Sequence, residues 1–277
     1  MAASSETDSR LARTGRIRRC RGYRLYTGDG RRILDLWQGG GRAILGHRPA
    51  GTTARIKDDL ERGLWSPLAG GRDAALAASI TRLVPGCEDA TVRLYRNFER
   101  ALNAVASVVA IDTVRDLPRE PFSQDRDLSV VIWRPFLPSA LWDRVLAASP
   151  EVILPVVPIP MAFQMQPVIY RHVSPPSGDL IAPVELSAAA SAVDRLRNTS
   201  APESRELDGF TSYGPYLMPV IRDDYDSVFH SFLDRDILLS PDPDTPSIVP
   251  AVISDGETAL LVRAAREINT EAAGNGD

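Results

Sequence analysis

Lysine is almost absent from this chain: of its 32 basic residues, Lys57 is the only lysine. Codon usage in a GC-rich genome accounts for the preference for arginine, but the chemical consequence holds whatever its cause. An aldimine needs a primary amine that can lose its proton, and a guanidinium stays charged. Cysteine is nearly as scarce. Cys20 and Cys87 are too few for a disulfide framework, and with three scattered histidines they form no zinc-ligand spacing. No apolar run reaches the length of a membrane span, and the opening MAASSETDSR lacks the apolar core of a secretory signal, so a cytoplasmic protein without a membrane partner is expected. There is no P-loop Gly-Lys-Ser/Thr and no Gly-x-Ser-x-Gly elbow, and Gly39, Gly41 and Gly46 do not fit the dinucleotide fingerprint. A formal net charge of -4 argues against a general nucleic-acid binder.

What is present is an ordinary globular composition, 44% hydrophobic and 25% charged over 277 residues, enough for one large domain or two modest ones. Its most informative stretch is GYRLYTGDGRRILDLWQGGGRAILGHRP, Gly22 to Pro49. Tyr23 to Tyr26 and Ile33 to Trp37 read as two strands, and Thr27-Gly28-Asp29-Gly30 supplies the turn residues of a hairpin. Gly39, Gly40 and Gly41 strip three consecutive positions of side chains, which allows backbone or a ligand to come close.

This stretch resembles the N-terminal signature of the class III pyridoxal-phosphate (PLP) aminotransferases, the group that includes glutamate-1-semialdehyde aminomutase. The matching residues are Asp29-Gly30, Leu34-Asp35, the glycines, Leu45-Gly46-His47 and Pro49. The resemblance implies a hairpin leading to a substrate entrance formed by Trp37, Gly39, Gly40, Gly41 and His47. It also implies a phosphate-binding turn, whose place here falls on Asn97-Phe98-Glu99-Arg100-Ala101. Asn97 and Ala101 persist there, while Phe98 and Glu99 replace small residues and would obstruct and repel a phosphate; Arg100 offsets part of that charge, so Asn97 and Arg100 are the expected vestigial cofactor contacts. The physical logic of such a turn is a helix N-terminus whose free N–H groups hold a dianion. Two strands further on, the resemblance implies a Glu-Pro pair and then an Asp that keeps the pyridine nitrogen protonated. The chain offers Arg134-Pro135 at the first place and Leu154-Pro155-Val156-Val157-Pro158, without a carboxylate, at the second. Ala182-Pro183 to Arg195 resembles the Asn-Pro helix that follows the family's last phosphate-contacting threonine, and Gly178-Asp179 stand near that threonine's place.

Periodicity fills in the rest. Helices are expected over Thr52 to Leu64 with a stripe of Ile56, Leu60 and Leu64, over Arg72 to Val84, Asn97 to Ala110, Ser139 to Ala148 with Ser139 as N-cap, Asp224 to Asp236, and from a Ser254–Glu257 capping box to Asn269. Strands are expected at Ala90 to Tyr95, Val130 to Trp133, Val152 to Val157, Pro215 to Ile221, Ile237 to Leu239 and Ser247 to Val252. Residues 115–127 read as a charged loop, and 158–176 as a proline- and methionine-rich loop holding His172. Lys57 falls off its helix's apolar stripe and reads as solvated. The seven arginines from Arg10 to Arg24 could form an anion-binding or nucleic-acid-binding arm, but without aromatic interleaving or a second basic patch they read better as a solvated lead-in to the hairpin. Asp223, Asp224 and Asp226 fit a helix N-terminus better than a metal site.

The expected fold is α/β, a fold type I PLP-transferase with a reduced, mostly parallel sheet, flanking helices and a small α+β domain made by both chain ends. The expected segments are 1–21, a flexible lead-in; 22–50, the hairpin; 51–200, the reduced large domain; 209–270, the small domain; and 271–277, a disordered tail. The expected function is a non-catalytic binding or dimerisation protein, lacking the Schiff-base lysine and the pyridine Asp and so without a cofactor. The alternative is an active PLP-dependent aminotransferase or aminomutase that uses Lys57 or a partner subunit's lysine. A homodimer, or a heterodimer with a complete homologue, is the expected assembly.

Overall fold

The computed structural model describes residues 2–67, 71–111, 114–118, 128–159 and 163–274. The chain divides into two compact units, one built from Met1–Arg48 with Ala201–Asp277 and the other from Pro49–Ser200.

The first unit begins with helix α1 (Ala2–Ala12), followed by strands β1 (Ile17–Arg21), β2 (Arg24–Thr27) and β3 (Arg32–Asp35). Within the segment expected as a lead-in, Ala2–Ala12 is helical and Ile17–Arg21 is a strand. Tertiary contacts hold α1 in place: Arg10 is buried, donates from Nε to Asp226 Oδ1 at 2.7 Å and from Nη1 to the Pro241 carbonyl at 2.7 Å, and lies over the Tyr225 ring. The arginine-rich segment after it is a strand, antiparallel to β2, and it extends the expected hairpin of β2 and β3 by one member.

The second unit runs α2 (Thr52–Glu61), α3 (Arg72–Thr81), β4 (Thr91–Tyr95), α4 (Phe98–Ala106), β5 (Val114–Asp116), β6 (Val130–Trp133), α5 (Ser139–Ala147), β7 (Val152–Pro155), β8 (Gln166–Tyr170) and α6 (Pro183–Arg197). Its sheet has the order β4-β8-β7-β6-β5. Strands β5, β6 and β7 are parallel, and β8 is antiparallel to both of its neighbours. Strands β6 and β7 are apolar throughout because both faces are covered. Val130, Val152, Val168 and Tyr170 pack with Val105 of α4, while Val131, Ile153 and Ile169 pack with Ile80 of α3 and Val193 of α6.

Several local expectations change. Val114–Asp116 is a strand rather than the start of the charged loop, whose residues 119–127 lie outside those described. Gln166–Tyr170 is a fully buried strand, not loop. Helix α2 buries Thr52 and Asp59 and leaves Leu60 exposed, because the buried Asp59, paired with the partly exposed Arg72 at 3.0 Å, takes the inward position expected of the apolar stripe. Pro138, not Ser139, is the N-cap of α5.

The chain then returns to the first unit with β9 (Phe210–Tyr213), β10 (Tyr216–Pro219), α7 (Tyr225–Asp234), β11 (Ile237–Leu238), β12 (Ser247–Ile248) and α8 (Asp255–Gly274). β11 adds to β3 in parallel, giving the order β1-β2-β3-β11, and β12-β10-β9 forms a small antiparallel sheet. Ile33, Leu36, Phe229, Phe232, Ile237 and Leu261 form the unit's core. The capping box at Ser254 is made in both directions: the Glu257 N–H donates to Ser254 Oγ at 3.3 Å, and the Ser254 N–H donates to Glu257 Oε2 at 2.9 Å. Residues 271–274, expected in the tail, continue this helix. Of the acidic residues at the start of α7, Asp226 accepts from Arg10 Nε at 2.7 Å and Asp224 accepts from Ser227 Oγ at 2.7 Å.

Candidate functional site

In an open α/β sheet, ligands bind outside the carboxyl ends of the parallel strands. In the second unit that edge carries Tyr95, Asp116, Trp133 with the following Arg134, Pro155, and the first residue of β8, Gln166. Helix α4 starts directly after Tyr95. Asn97 is its N-cap, extended in backbone and accepting the Arg100 N–H on Oδ1 at 2.8 Å.

A helix start of this kind favours an anion, and the anion present is the chain's own Asp179. Its Oδ2 accepts the Arg96 N–H at 3.1 Å and its Oδ1 accepts Arg100 Nε at 3.3 Å. Its backbone N–H donates to the Leu94 carbonyl at 2.8 Å, which seats the segment on the end of β4. Gly178 makes this approach possible, because a Cβ there would stand 3.0 Å from the Leu94 carbonyl oxygen. Phe98 and Glu99 are both exposed, and the carboxylate that reaches the turn comes from far along the chain.

Beside it, Tyr95 and Tyr170 share a hydrogen bond at 2.9 Å between their hydroxyls, and burial pushes both phenols up, so the pair is neutral at physiological pH. At the next parallel strands Arg134, 3% exposed, makes a forked pair with Asp116, Nε to Oδ1 at 2.7 Å and Nη2 to Oδ2 at 2.6 Å. The strand end where the resemblance implies a carboxylate thus carries a guanidinium, matched to a carboxylate one strand over. Gln166 donates to the Pro155 and Pro167 carbonyls.

The structure brings Asn97, Arg100 and Asp179 together and leaves Lys57 exposed on α2, a helix that packs against α6. His172 is also exposed, with Nε2 3.1 Å from Ser149 Oγ. Asp116 carries no sequence signal, lying in a three-residue strand before charged residues. Asp179 could be placed near the turn by resemblance, but its pairing could not.

The expected entrance residues lie in the first unit. Gln38, Gly39, Gly40 and Gly41 have φ of 50°, 59°, 67° and 101°, so the glycines serve a left-handed turn. A Cβ added at Gly40 would meet nothing within 4 Å, which rules out close packing as the reason for glycine there. Asp35, 1% exposed, organises the turn: Oδ1 accepts the Gln38 N–H at 2.9 Å, and Oδ2 lies 2.7 Å from His47 Nε2. The carboxylate only accepts, which places the proton of that bond on Nε2. Gln38 donates to the Ile248 carbonyl at 3.0 Å, and Trp37 packs on the unit's core.

No family model matches the chain. A protein of Treponema pallidum, described as uncharacterized, is 28% identical over 300 residues, covering 87% of this chain and 91% of its own length. Among solved structures, ornithine δ-aminotransferase of Plasmodium falciparum superposes with a TM-score of 0.65 at 11% identity over 97% of this chain and 99% of its own. An omega-transaminase from Sphaerobacter thermophilus gives 0.62 at 14%, covering 93% and 91%. N-acetylornithine aminotransferase from Stenotrophomonas maltophilia gives 0.60 at 15%, covering 95% and 97%. The chain therefore shares the α/β fold of these aminotransferases.

Proposed function

We propose that this chain is a class III aminotransferase-like protein without transaminase chemistry, acting as a binding or dimerisation protein. The observation that carries the reading is Asp179 at the start of α4. A carboxylate already takes the Arg96 N–H and the Arg100 guanidinium beside the helix start where the resemblance implies a phosphate. A phosphate dianion brought there would meet a like charge at hydrogen-bonding range.

Two further features agree with it. The strand end where the resemblance implies the Glu-Pro pair holds the Arg134–Asp116 ion pair, and Leu154-Pro155-Val156-Val157-Pro158, where it implies the pyridine Asp, has no carboxylate. The single lysine is exposed on helix α2. The residues present at these places do not fit PLP.

The test is spectroscopic. Purified protein is mixed with PLP, and the visible spectrum is recorded before and after borohydride. The expected result is no saturable, reducible aldimine band. A stoichiometric band that disappears in Lys57→Ala would overturn the proposal. Light scattering with and without a complete homologue then measures the assembly, expected to be a dimer.

A further inference from the structure

The first unit carries a second concavity, unrelated to the reading of α4. It is a groove of about 640 Å³ between the edge strand β1, strand β2 and the start of β3, lined by Arg19, Arg21, Arg24, Arg32 and Arg48 with Tyr26. Five guanidiniums converge on one hollow in a chain whose formal net charge is -4. Such clustering against the overall sign marks an anion site.

The cations fall into two sets. Arg24 and Arg32 are fixed by one carboxylate: Arg24 Nε donates to Glu257 Oε1 at 2.9 Å, its Nη2 pairs with Oε2, and Arg32 Nη2 donates to Oε1 at 2.6 Å. Glu257 is further occupied by the Ser254 N–H and hydroxyl, so it braces that wall and neutralises a single charge. Arg19, Arg21 and Arg48 are exposed and have no ion pair among the described residues. The Arg19 guanidinium lies 4.3 Å from the centre of the Tyr26 ring, which holds it over the hollow without using up its charge.

We propose that this groove binds an oligophosphate, either free or carried by a nucleoside. Planar guanidinium forks suit phosphate oxygens, several of them suit several linked phosphates, and the volume is that of a small-molecule site. A nucleic-acid strand would instead need cations spaced along a path, and these meet in one hollow.

Calorimetric titration of the intact chain with sodium tripolyphosphate, ATP and a short single-stranded oligonucleotide tests the proposal, with Arg21→Ala/Arg48→Ala against Arg197→Ala, an exposed arginine of the other unit. The expected result is saturable tripolyphosphate binding, weakened roughly tenfold or more in the groove variant, unchanged in the control, and reduced by added salt. ATP binding as tightly as tripolyphosphate assigns the phosphates as the recognised group, and tighter ATP binding assigns the nucleotide as the carrier. Three outcomes overturn the proposal: no saturable tripolyphosphate binding, equal loss in both variants, or preference for the oligonucleotide. All three substituted arginines are exposed, and an unchanged thermal midpoint shows that a loss of binding is not a loss of fold.

Discussion

Glu257 shows what a single side chain does here. Its carboxyl is held down to about 2 from an ordinary 4.5, first by Arg24, then by the Ser254 donors and Arg32, against a burial cost that pushes the other way. A carboxylate lowered in the folded state contributes its stability above the unfolded pKa and loses it as pH falls through the folded one. The first unit is therefore expected to lose about 2 kcal/mol between roughly pH 4.5 and pH 2, the full linkage value being reduced by solvent at the groove rim. Urea unfolding across that range measures it. Glu257→Gln should lower stability at neutral pH by a similar amount and flatten this part of the acid limb, and an unchanged acid limb would remove Glu257 from the account. This residue was half legible in sequence. Ser-x-x-Glu before an apolar run gave the capping box, whereas the two arginines that bind the same carboxylate lie at the other end of the chain.

Among the elements, two glycine sites separate two physical reasons for glycine. At Gly40, φ is +67° and an added Cβ meets nothing, so Gly40→Ala costs only the left-handed strain, about 1 kcal/mol. At Gly178 the added Cβ meets the Leu94 carbonyl at 3.0 Å, and that neighbour is strand backbone that cannot swing aside. Gly178→Ala should cost about 1–3 kcal/mol and should lift Asp179 off the start of α4, exposing the Arg96 amide. Denaturation midpoints separate the two costs, and amide exchange at Arg96 reports the second; a protected Arg96 amide in Gly178→Ala would show that Asp179 is not held by this approach. The strands that sequence shows are those whose environment is uniform. β6 and β7 read as apolar runs because both faces are buried, while β8 is equally buried but begins Gln-Pro within a proline-rich stretch, and β5 is three residues long. Helix α1 escapes pattern reading for another reason: Arg10 anchors it through partners more than 200 residues away.

At the scale of the whole molecule, the chain's path decides which unit depends on which segments. Residues 49–200 are contiguous and contain a complete five-stranded sheet with a core on each face. The first unit is assembled from both ends: β11 pairs with β3, the Ile248 N–H donates to the Leu36 carbonyl, and α8 is tied through Glu257 to Arg24 and Arg32. Residues 201–277 alone would expose the apolar face of α7 and lose the strand partners that lie within 1–48. Expressed separately, residues 49–200 should unfold cooperatively with folded circular dichroism, since all five described strands of that sheet come from this segment. Residues 201–277 should stay unfolded until residues 1–48 are supplied, and mixing the two should restore a cooperative transition. A cooperative fold in 201–277 alone would mean that its own helices suffice and that the hairpin, the most readable stretch of the sequence, is an addition to the unit rather than a part of its core.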